Sequence, residues 1–320
     1  MTVNRRIPPA TATNGPKDNN GKASCVDNLV NEPSNKAARR LLHAGEVPSW
    51  YTHNSFVRTG YRPITGSVLR CFQSLGYFHN ESVNIYSHLI PAVIAAVANF
   101  FIHLLFSSRY PSASWADQLV FHIYLSTSVL CFAISSTYHT MLCHSKALAD
   151  LWVRFDYVAI VFQILGSFIS GIYVSFYCEP ALQRLYWAMI IMLGLLTGVI
   201  VVGPSSQSRR WRILRLCAFV LTGFSAFAPI THAMIVFPYG QLDKQAGLRY
   251  YYLEGTSTMA GVFFYATHFP ESWAPKRFDL WGASHQLFHG CVVLGACFHF
   301  YGILSAFDWN YNNPRCPAGL

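Results

Sequence analysis

The residues with the clearest chemical potential are His285 and His289, in the segment SHQLFH at positions 284–289. Side chains four positions apart on an α-helix lie on one face, one turn above the other. Two imidazoles in that arrangement can bind one metal ion. An apolar segment, residues 290–307, follows them, so the pair would stand at the mouth of a membrane helix, where polar side chains are costly. The alternative is that both histidines are hydrogen-bonded polar residues near a membrane surface.

The composition is that of a membrane protein. Of the 320 residues, 52% are hydrophobic and only 12% are charged, against about 25% charged in soluble domains. The net charge is +9, but the basic residues lie in an N-terminal tail and in short loops. A nucleic-acid partner is therefore not expected, because such a site would gather them on one face. The nine cysteines are scattered without a CxxC pair, so we expect buried thiols and no disulfide framework.

Seven segments are long and apolar enough to cross about 30 Å of hydrocarbon, which takes about 20 residues. The third and fifth carry Arg154 and Arg215 near one end, where a long side chain can reach the membrane surface. The sixth is the least apolar, because a polar stripe that begins at Glu254 interrupts it; we expect this stripe to serve helix packing. The predicted spans are residues 85–106, 117–138, 152–176, 185–203, 212–237, 249–268 and 285–307.

The remaining segments complete an all-α architecture, a seven-transmembrane-helix bundle. Residues 1–45 are predicted to form a disordered cytoplasmic tail with no cleavable signal peptide. Residues 46–84 alternate aromatic and basic side chains, which is typical of a segment at the headgroup level, and should contain a short amphipathic helix near residues 64–76. The membrane domain then spans residues 85–307, and residues 308–320 form a short outer tail.

The distribution of Lys and Arg predicts the orientation. With the N-terminus in the cytoplasm, 18 of these residues lie on the inner side and 5 on the outer side. The long tail contributes ten of the 18 and counts for less, but the inner loops alone still carry the larger number. The positive-inside rule therefore favours a cytoplasmic N-terminus and an outer or lumenal C-terminus.

This topology brings distant residues to one depth on the cytoplasmic side. The second span ends with Ser135 and His139, the third begins near Asp156, and the seventh begins with His285 and His289. Three neutral imidazoles with one open position are the ligand set of a catalytic zinc, whereas a structural site is usually closed by four protein ligands. Such a zinc would activate a water molecule for attack on a carbonyl.

Two further residues have alternative roles in this prediction. Asp156 could hold the water molecule or orient a histidine; otherwise it pairs with a cation such as Arg154. Ser135 lies one turn from His139 and could hydrogen-bond the water or a substrate carbonyl. Its alternative role is to let two membrane helices approach closely.

Five ordered motifs resemble the adiponectin-receptor and progestin-receptor family, which includes the haemolysin-III-related proteins. The resemblance covers roughly residues 50–310. One departure is the Pro-Glu loop, which continues Ser-Trp-Ala-Pro-Lys where an Arg and a Gly are commoner. The motifs are ESVNIYSH at 81–88, SSTYH at 135–139, FDY at 155–157, a Pro-Glu loop at 269–279 and SHQLFH at 284–289.

The resemblance implies a seven-helix fold with an intracellular N-terminus and one zinc ion per chain. The zinc ligands would be His139, His285 and His289, with Asp156 acting through water and Ser135 nearby. Family members are credited with ceramidase-like hydrolysis of a lipid amide; some are receptors for protein or steroid ligands, and fungal members are tied to zinc and sterol balance. The Asn-rich tail suits a fungal or other lower-eukaryotic member.

Other polar residues are assigned structural roles. Glu81, Asn84 and His88 are predicted to form a polar network that holds the first helix against the others, with a direct chemical role as the alternative. The remaining intramembrane histidines are not expected to bind metal. They are His103, His122, His232, His268 and His299.

The function predicted from these features is a zinc-dependent, ceramidase-like hydrolase of a lipid amide, with ceramide or a related sphingolipid as its membrane partner. The first alternative is a receptor or sensor with a structural zinc and an outer ligand of unknown identity. A pore ranks last, because the spans lack pore-lining charges. A di-iron enzyme would need more clustered histidines. The expected location is the endoplasmic reticulum or the plasma membrane.

Overall fold

The computed structural model describes residues 40–52, 54–203 and 209–316. The predicted disordered tail therefore lies almost wholly outside the described residues. Within them the chain is helical, with one isolated bridge between Leu42 and Tyr61. The helices are α1 (Val68–Gln73), α2 (Ser82–Arg109), α3 (Trp115–Met141), α4 (Lys146–Ser175), α5 (Pro180–Val202), α6 (Arg209–Phe224), α7 (Phe227–Val236), α8 (Tyr239–Ala246), α9 (Leu248–Thr267) and α10 (Ser284–Asn312).

Every segment predicted to span the membrane is helical. In the part of the chain that the structure describes, six helical segments are long and apolar enough to cross a membrane: α2, α3, α4, α5, α6 with α7, and α10. The remaining one, α9, is the sixth predicted span, which the stripe beginning at Glu254 makes less apolar. The fifth span is interrupted at Ser225 and Ala226, between α6 and α7.

The central helix of the bundle is α10, which packs against α2, α4, α8 and α9. On its other side α2 contacts α3, which in turn contacts α4, and α5 lies between α4 and α6. Aromatic rings from α2, α3 and α10 fill the core between these helices, with Phe106, Phe121 and Phe307 fully buried. This packing places the beginnings of α2, α4 and α10 and the end of α3 at one end of the bundle, which we call the metal end.

Polar residues in the turns determine where helices begin. Ser114 precedes α3, and its hydroxyl accepts a bond from the Asp117 amide, while the Asp117 carboxylate accepts one from the Ser114 amide at 2.7 Å. Such a capping box satisfies amides that have no partner within the helix. Gly247 connects α8 to α9 with φ at +68°, and a Cβ atom there would lie 2.7 Å from the carbonyl oxygen of Gly302. Only glycine fits this close approach to α10.

The segment before the first span folds over the metal end. The predicted amphipathic helix is present as α1, with Cys71 buried beneath it and Val68, Leu69 and Phe72 exposed. Tyr51 and Tyr61 are also buried, in a cluster with residues at the end of α3. This segment is therefore packed against the bundle near α3.

One expectation about the cysteines is wrong. Cys178, after α4, forms a disulfide with Cys316, beyond α10. The two residues are 138 positions apart, and only the packing of α4 beside α10 brings them together. We call this the disulfide end; it lies opposite the metal end. Cys71, Cys131 and Cys143 are buried thiols, as predicted, whereas Cys217 and Cys297 are exposed thiols on the bundle surface.

Candidate metal centre

The three predicted zinc ligands come together at the metal end. His139 is in the last turn of α3, and His285 and His289 are in the first two turns of α10. One ring nitrogen from each lies within 4.8 Å of the others. His139 and His289 are buried and His285 is half-buried. The structure therefore brings the three predicted ligands together in a cluster that could hold a metal ion.

Hydrogen bonds orient two of the three rings. His139 Nδ1 lies 2.8 Å from Glu81 Oε2. His289 Nδ1 lies 3.1 Å from the carbonyl oxygen of Asn84 and 3.2 Å from Ser87 Oγ. Because carboxylate and carbonyl oxygens only accept hydrogen bonds, Nδ1 is a protonated nitrogen in both rings. Each ring can then direct its Nε2 lone pair towards a metal ion. A hydrogen bond from Nδ1 to a carboxylate or a carbonyl oxygen is typical of metal-binding histidines.

The distance between two of the three nitrogens suits zinc. His139 Nε2 and His285 Nε2 are 3.3 Å apart. Two nitrogens bound to a tetrahedral zinc at 2.0–2.1 Å would be about 3.3–3.4 Å apart. Three imidazole nitrogens also leave one tetrahedral position for another ligand. The residues present therefore fit a catalytic type of zinc site.

Glu81 has a more direct role at this site than the structural network assigned to it. Its carboxylate accepts bonds from Asn84 Nδ2 at 2.7 Å and from His139 at 2.8 Å. The first bond belongs to the predicted network, and the second orients a candidate metal ligand. His88 packs its ring on that of His289, with centroids 3.8 Å apart. The one feature of the sequence that could have indicated this role is the position of Glu81, an acid just before the first span.

Two buried groups outside the membrane helices hold the helices that carry the ligands. Arg62 is fully buried, and its guanidinium donates to the carbonyl oxygens of His139 at 2.6 Å and Thr140 at 3.0 Å. Glu271, from the Pro-Glu loop, is also fully buried and accepts from the Ser284 amide at 2.7 Å and from its hydroxyl. An acid at the start of a helix is favourable because of the unpaired amides there. Together these residues fix the end of α3 and the start of α10.

Asp156 and Ser135 lie beside the histidines. Their side chains interact with each other across the α3–α4 interface, and Asp156 is also close enough to His139 to interact electrostatically. No ion pair between Asp156 and Arg154 occurs in the described part of the chain, so the predicted alternative partner is not found there. Both Asp156 and Ser135 line the same cavity as the three histidines.

This cavity has a volume of about 1150 Å³ and extends through the bundle from the metal end. Most of its wall is apolar. Side chains that line it between the fifth span and α9 are also exposed on the bundle, among them Phe227 on α7 and Met259 on α9. The cavity is therefore open on the side that faces the surrounding lipid. A large apolar pocket with a few convergent polar groups is typical of a ligand site.

Arg215 departs from its expected position. It does not extend to the membrane surface: it is 9% exposed, and its guanidinium lies 5.0 Å from the centre of the Tyr157 ring. Both residues line the cavity, on helices α6 and α4. Burial against an aromatic face stabilises a guanidinium in a site of low polarity. The cavity wall near Asp156 therefore contains a positive charge that sequence reasoning did not place there.

The comparison with known proteins agrees with the motifs. Residues 76–300 match the family model described as haemolysin-III related. The chain belongs to the haemolysin-III-related family.

Similar relatives of this family carry receptor or heptahelical names. The ADIPOR-like receptor IZH2 of Saccharomyces cerevisiae is 34% identical over 85% of this chain and 86% of its own length. Progestin and adipoQ receptor-like protein 1 of Caenorhabditis elegans is 34% identical over 88% of this chain and 64% of its own length. Heptahelical transmembrane protein 1 of Arabidopsis thaliana is 32% identical over 85% of this chain. The protein is therefore an integral multi-pass membrane protein of this family.

Proposed function

We propose that this protein is a zinc-containing, ceramidase-like hydrolase of a membrane lipid amide, linked to lipid or zinc homeostasis. The observation that carries the proposal is the convergence of three histidine nitrogens beside an acid and a hydroxyl at the end of a large, laterally open apolar cavity. A zinc ion held by His139, His285 and His289 would supply Lewis acidity, which activates water and polarises an amide carbonyl.

The residues around the histidines suit the remaining steps of amide hydrolysis. Asp156 would orient the water and accept a proton that the leaving amine later needs. Ser135 would hydrogen-bond the same water or the substrate carbonyl. The apolar cavity would hold the hydrocarbon chains of ceramide or a related sphingolipid. Arg215 would stabilise the carboxylate of the fatty acid product.

We further propose that all seven segments span the membrane, with the N-terminus and the metal end in the cytoplasm. The Lys and Arg distribution supports this orientation. The disulfide between Cys178 and Cys316 supports it independently, because disulfides persist in oxidising compartments such as the lumen of the endoplasmic reticulum or the cell exterior. Both of the expected membranes, the endoplasmic reticulum and the plasma membrane, are compatible with it.

A second candidate function is a receptor or sensor whose zinc is structural. The observation that favours it is the naming of relatives as receptors. In this case the cavity would bind a lipid or another outer ligand without turnover. The metal site would then hold α3 and α10 together in one conformation.

The deciding experiment measures zinc content and ceramide hydrolysis on one preparation of the full chain in mild detergent. We expect about one zinc per chain, as a three-histidine site binds one ion, and release of fatty acid and sphingoid base. Stripping the zinc should abolish release, and adding zinc back should restore it. A preparation without zinc contradicts the proposal. Zinc without hydrolysis of any lipid amide favours the sensor.

A further inference from the structure

Two thiols meet on the inner side of α1, at the metal end. The Sγ atoms of Cys71 on α1 and Cys143, in the turn after α3, are 3.5 Å apart. Both residues are fully buried. Among the cysteines that the structure describes as free, these are the two whose sulfur atoms are brought into contact. Nothing in the proposed hydrolysis uses them.

The backbones around the two thiols are already held together. The Thr65 amide donates to the Cys143 carbonyl oxygen at 3.0 Å, and the Gly66 amide donates to that of His144 at 3.1 Å. A disulfide requires sulfur atoms about 2.05 Å apart, so the pair must close by about 1.5 Å. The partner with fewer packing constraints is α1, a helix of six residues with its outer face exposed: Leu69 is 68% exposed.

The surroundings of Cys71 favour its reactive form. The Cys143 thiol donates a hydrogen bond to Cys71, and the Thr65 hydroxyl and the Arg62 guanidinium lie nearby; together these outweigh burial and lower the pKa of Cys71 to about 6. A thiolate is the nucleophile in reactions of cysteine with oxidants. Cys71 is thus the attacking residue, and Cys143 is placed to resolve the product.

We propose that Cys71 and Cys143 are a redox modification site: a peroxide converts them to a disulfide that ties α1 to the turn after α3. The Cys71 thiolate attacks one peroxide oxygen; the S–O bond forms, the O–O bond breaks, and hydroxide leaves. The Cys143 sulfur then attacks the sulfenic acid at Cys71, and water leaves. Two thiols lose two electrons in total, and one hydrogen peroxide becomes two waters.

The disulfide would act on the metal site through a short path. Cys143 is four residues after His139, and its Sγ contacts the carbonyl oxygen of Thr140 at 3.7 Å. Arg62 bonds the carbonyl oxygens of both Thr140 and His139. Pulling Cys143 towards α1 therefore disturbs the Arg62 hydrogen bonds that fix the end of α3. The orientation of the His139 ring changes with them.

The first test maps the thiols of the full chain in detergent. The protein is treated with graded hydrogen peroxide, its remaining thiols are blocked with N-ethylmaleimide, and its peptides are analysed by mass spectrometry. We expect a cross-linked peptide joining positions 71 and 143, which a reducing agent removes. Cys71→Ser and Cys143→Ser should lack it, and Cys217→Ser, at an exposed thiol, should form it as the parent does.

The second test measures zinc release to a coloured chelator before and after peroxide. Oxidation should speed release from the parent by about tenfold, the size of effect expected when a group supporting a metal ligand is disturbed. Release from Cys71→Ser should not respond to peroxide. If the cross-link forms and release is unchanged, the link to the metal site is overturned.

Peptide mapping of the parent protein tests whether the disulfide forms, whether or not the variants fold. If Cys217 is oxidised while positions 71 and 143 stay fully alkylated after denaturation, the proposed site is overturned. The same conclusion follows if each thiol proceeds separately to sulfinic acid. Neither result depends on ceramide hydrolysis, so a failure here is distinguishable from a failure of the proposed function.

Discussion

The bundle contains two similar acid–histidine pairs, each with a buried histidine and a half-buried acid. At the metal end, His139 Nδ1 lies 2.8 Å from a Glu81 oxygen; deeper in the bundle, His299 Nδ1 lies 2.8 Å from a Glu254 oxygen. The side chains of both histidines are 3% exposed. His299 lies ten residues after His289 on α10, which corresponds to about 15 Å along a helix. Both pairs also line the same cavity.

The two pairs differ in the group that contacts Nε2 of the histidine. His299 Nε2 lies 2.9 Å from Ser170 Oγ, so its hydrogen bonding is complete within the protein. His139 Nε2 instead lies 3.3 Å from another imidazole nitrogen, that of His285. Two lone pairs directed at each other are unfavourable unless a cation or a proton lies between them. The contact made by Nε2, and not the carboxylate on Nδ1, therefore distinguishes the candidate metal centre from the structural pair.

The second pair also resembles a serine–histidine–acid arrangement, but its serine is unsuited to nucleophilic attack. Ser170 is fully buried, and its hydroxyl lies within hydrogen-bonding distance of the carbonyl oxygens of Gly166 and Ser167. A nucleophile must reach its substrate as well as its base. Ser170 does not line the cavity, so this cluster joins α4, α9 and α10 structurally.

The largest difference between the two pairs should appear in zinc content. His285→Ala removes one of three metal ligands, and we expect zinc to fall from about one per chain to nearly none after gel filtration. His299→Ala should keep the zinc of the parent. Elemental analysis of both variants at equal protein concentration checks this, with thermal melting to confirm folding. Equal zinc in the two variants would break the distinction between the clusters.

The next effect concerns turnover without loss of metal. Asp156→Asn should retain zinc and lower ceramide hydrolysis by about 10²–10³-fold, the typical contribution of a group that orients and deprotonates water. The matched control is Glu254→Gln, which also neutralises a cavity-lining acid and should stay within about twofold of the parent. The measurement is the initial rate of fatty acid release per bound zinc. Comparable losses in both variants would place the second pair in the chemistry.

Neutralising the acid of each pair should separate metal affinity from stability. Glu81→Gln weakens the support of His139, and we expect zinc affinity to fall about 10–100-fold in a chelator competition assay. Glu254→Gln should leave zinc affinity unchanged and lower the free energy of unfolding by about 1–3 kcal/mol, because the hydrogen bonding of His299 is weakened. If Glu254→Gln weakens zinc binding as much as Glu81→Gln, the two pairs are not independent.

The smallest effect is expected from the two serines. Ser135→Ala removes one hydrogen bond near the reacting atoms, which corresponds to about a 2–10-fold lower rate with unchanged zinc. Ser170→Ala should leave the rate unchanged and give a small decrease in melting temperature. Rate measurements on both variants at saturating substrate test this. A larger rate loss in Ser170→Ala would contradict the structural role assigned to it.

The sequence predicted the helices and the three histidines well because each rests on a local or topological rule. Apolar length predicted the positions of all seven helical segments, and the polar stripe on α9 identified the least apolar one. A helical spacing of four paired His285 with His289, and the alternation of spans placed His139 beside them. The clustering thus followed from helical spacing and the order of the spans.

The contacts that sequence reasoning missed all depend on packing between distant segments. Glu81 meets His139 only because the start of α2 lies against the end of α3. Cys178 and Cys316 pair because α4 and α10 end side by side. Arg215 lies near the start of the predicted fifth span, so reaching the surface and turning into the cavity were equally compatible with its position. Choosing between such outcomes requires the three-dimensional arrangement of neighbouring helices.

The interrupted fifth span bears on how the proposed lipid substrate would reach the histidines. Because the cavity opens between that span and α9, such a lipid would enter by diffusing within the plane of the bilayer. The quantity that controls occupancy would then be the mole fraction of that lipid in the membrane, and its concentration in the aqueous sample would not matter. Changes in bilayer composition would therefore regulate this protein directly, without any soluble messenger.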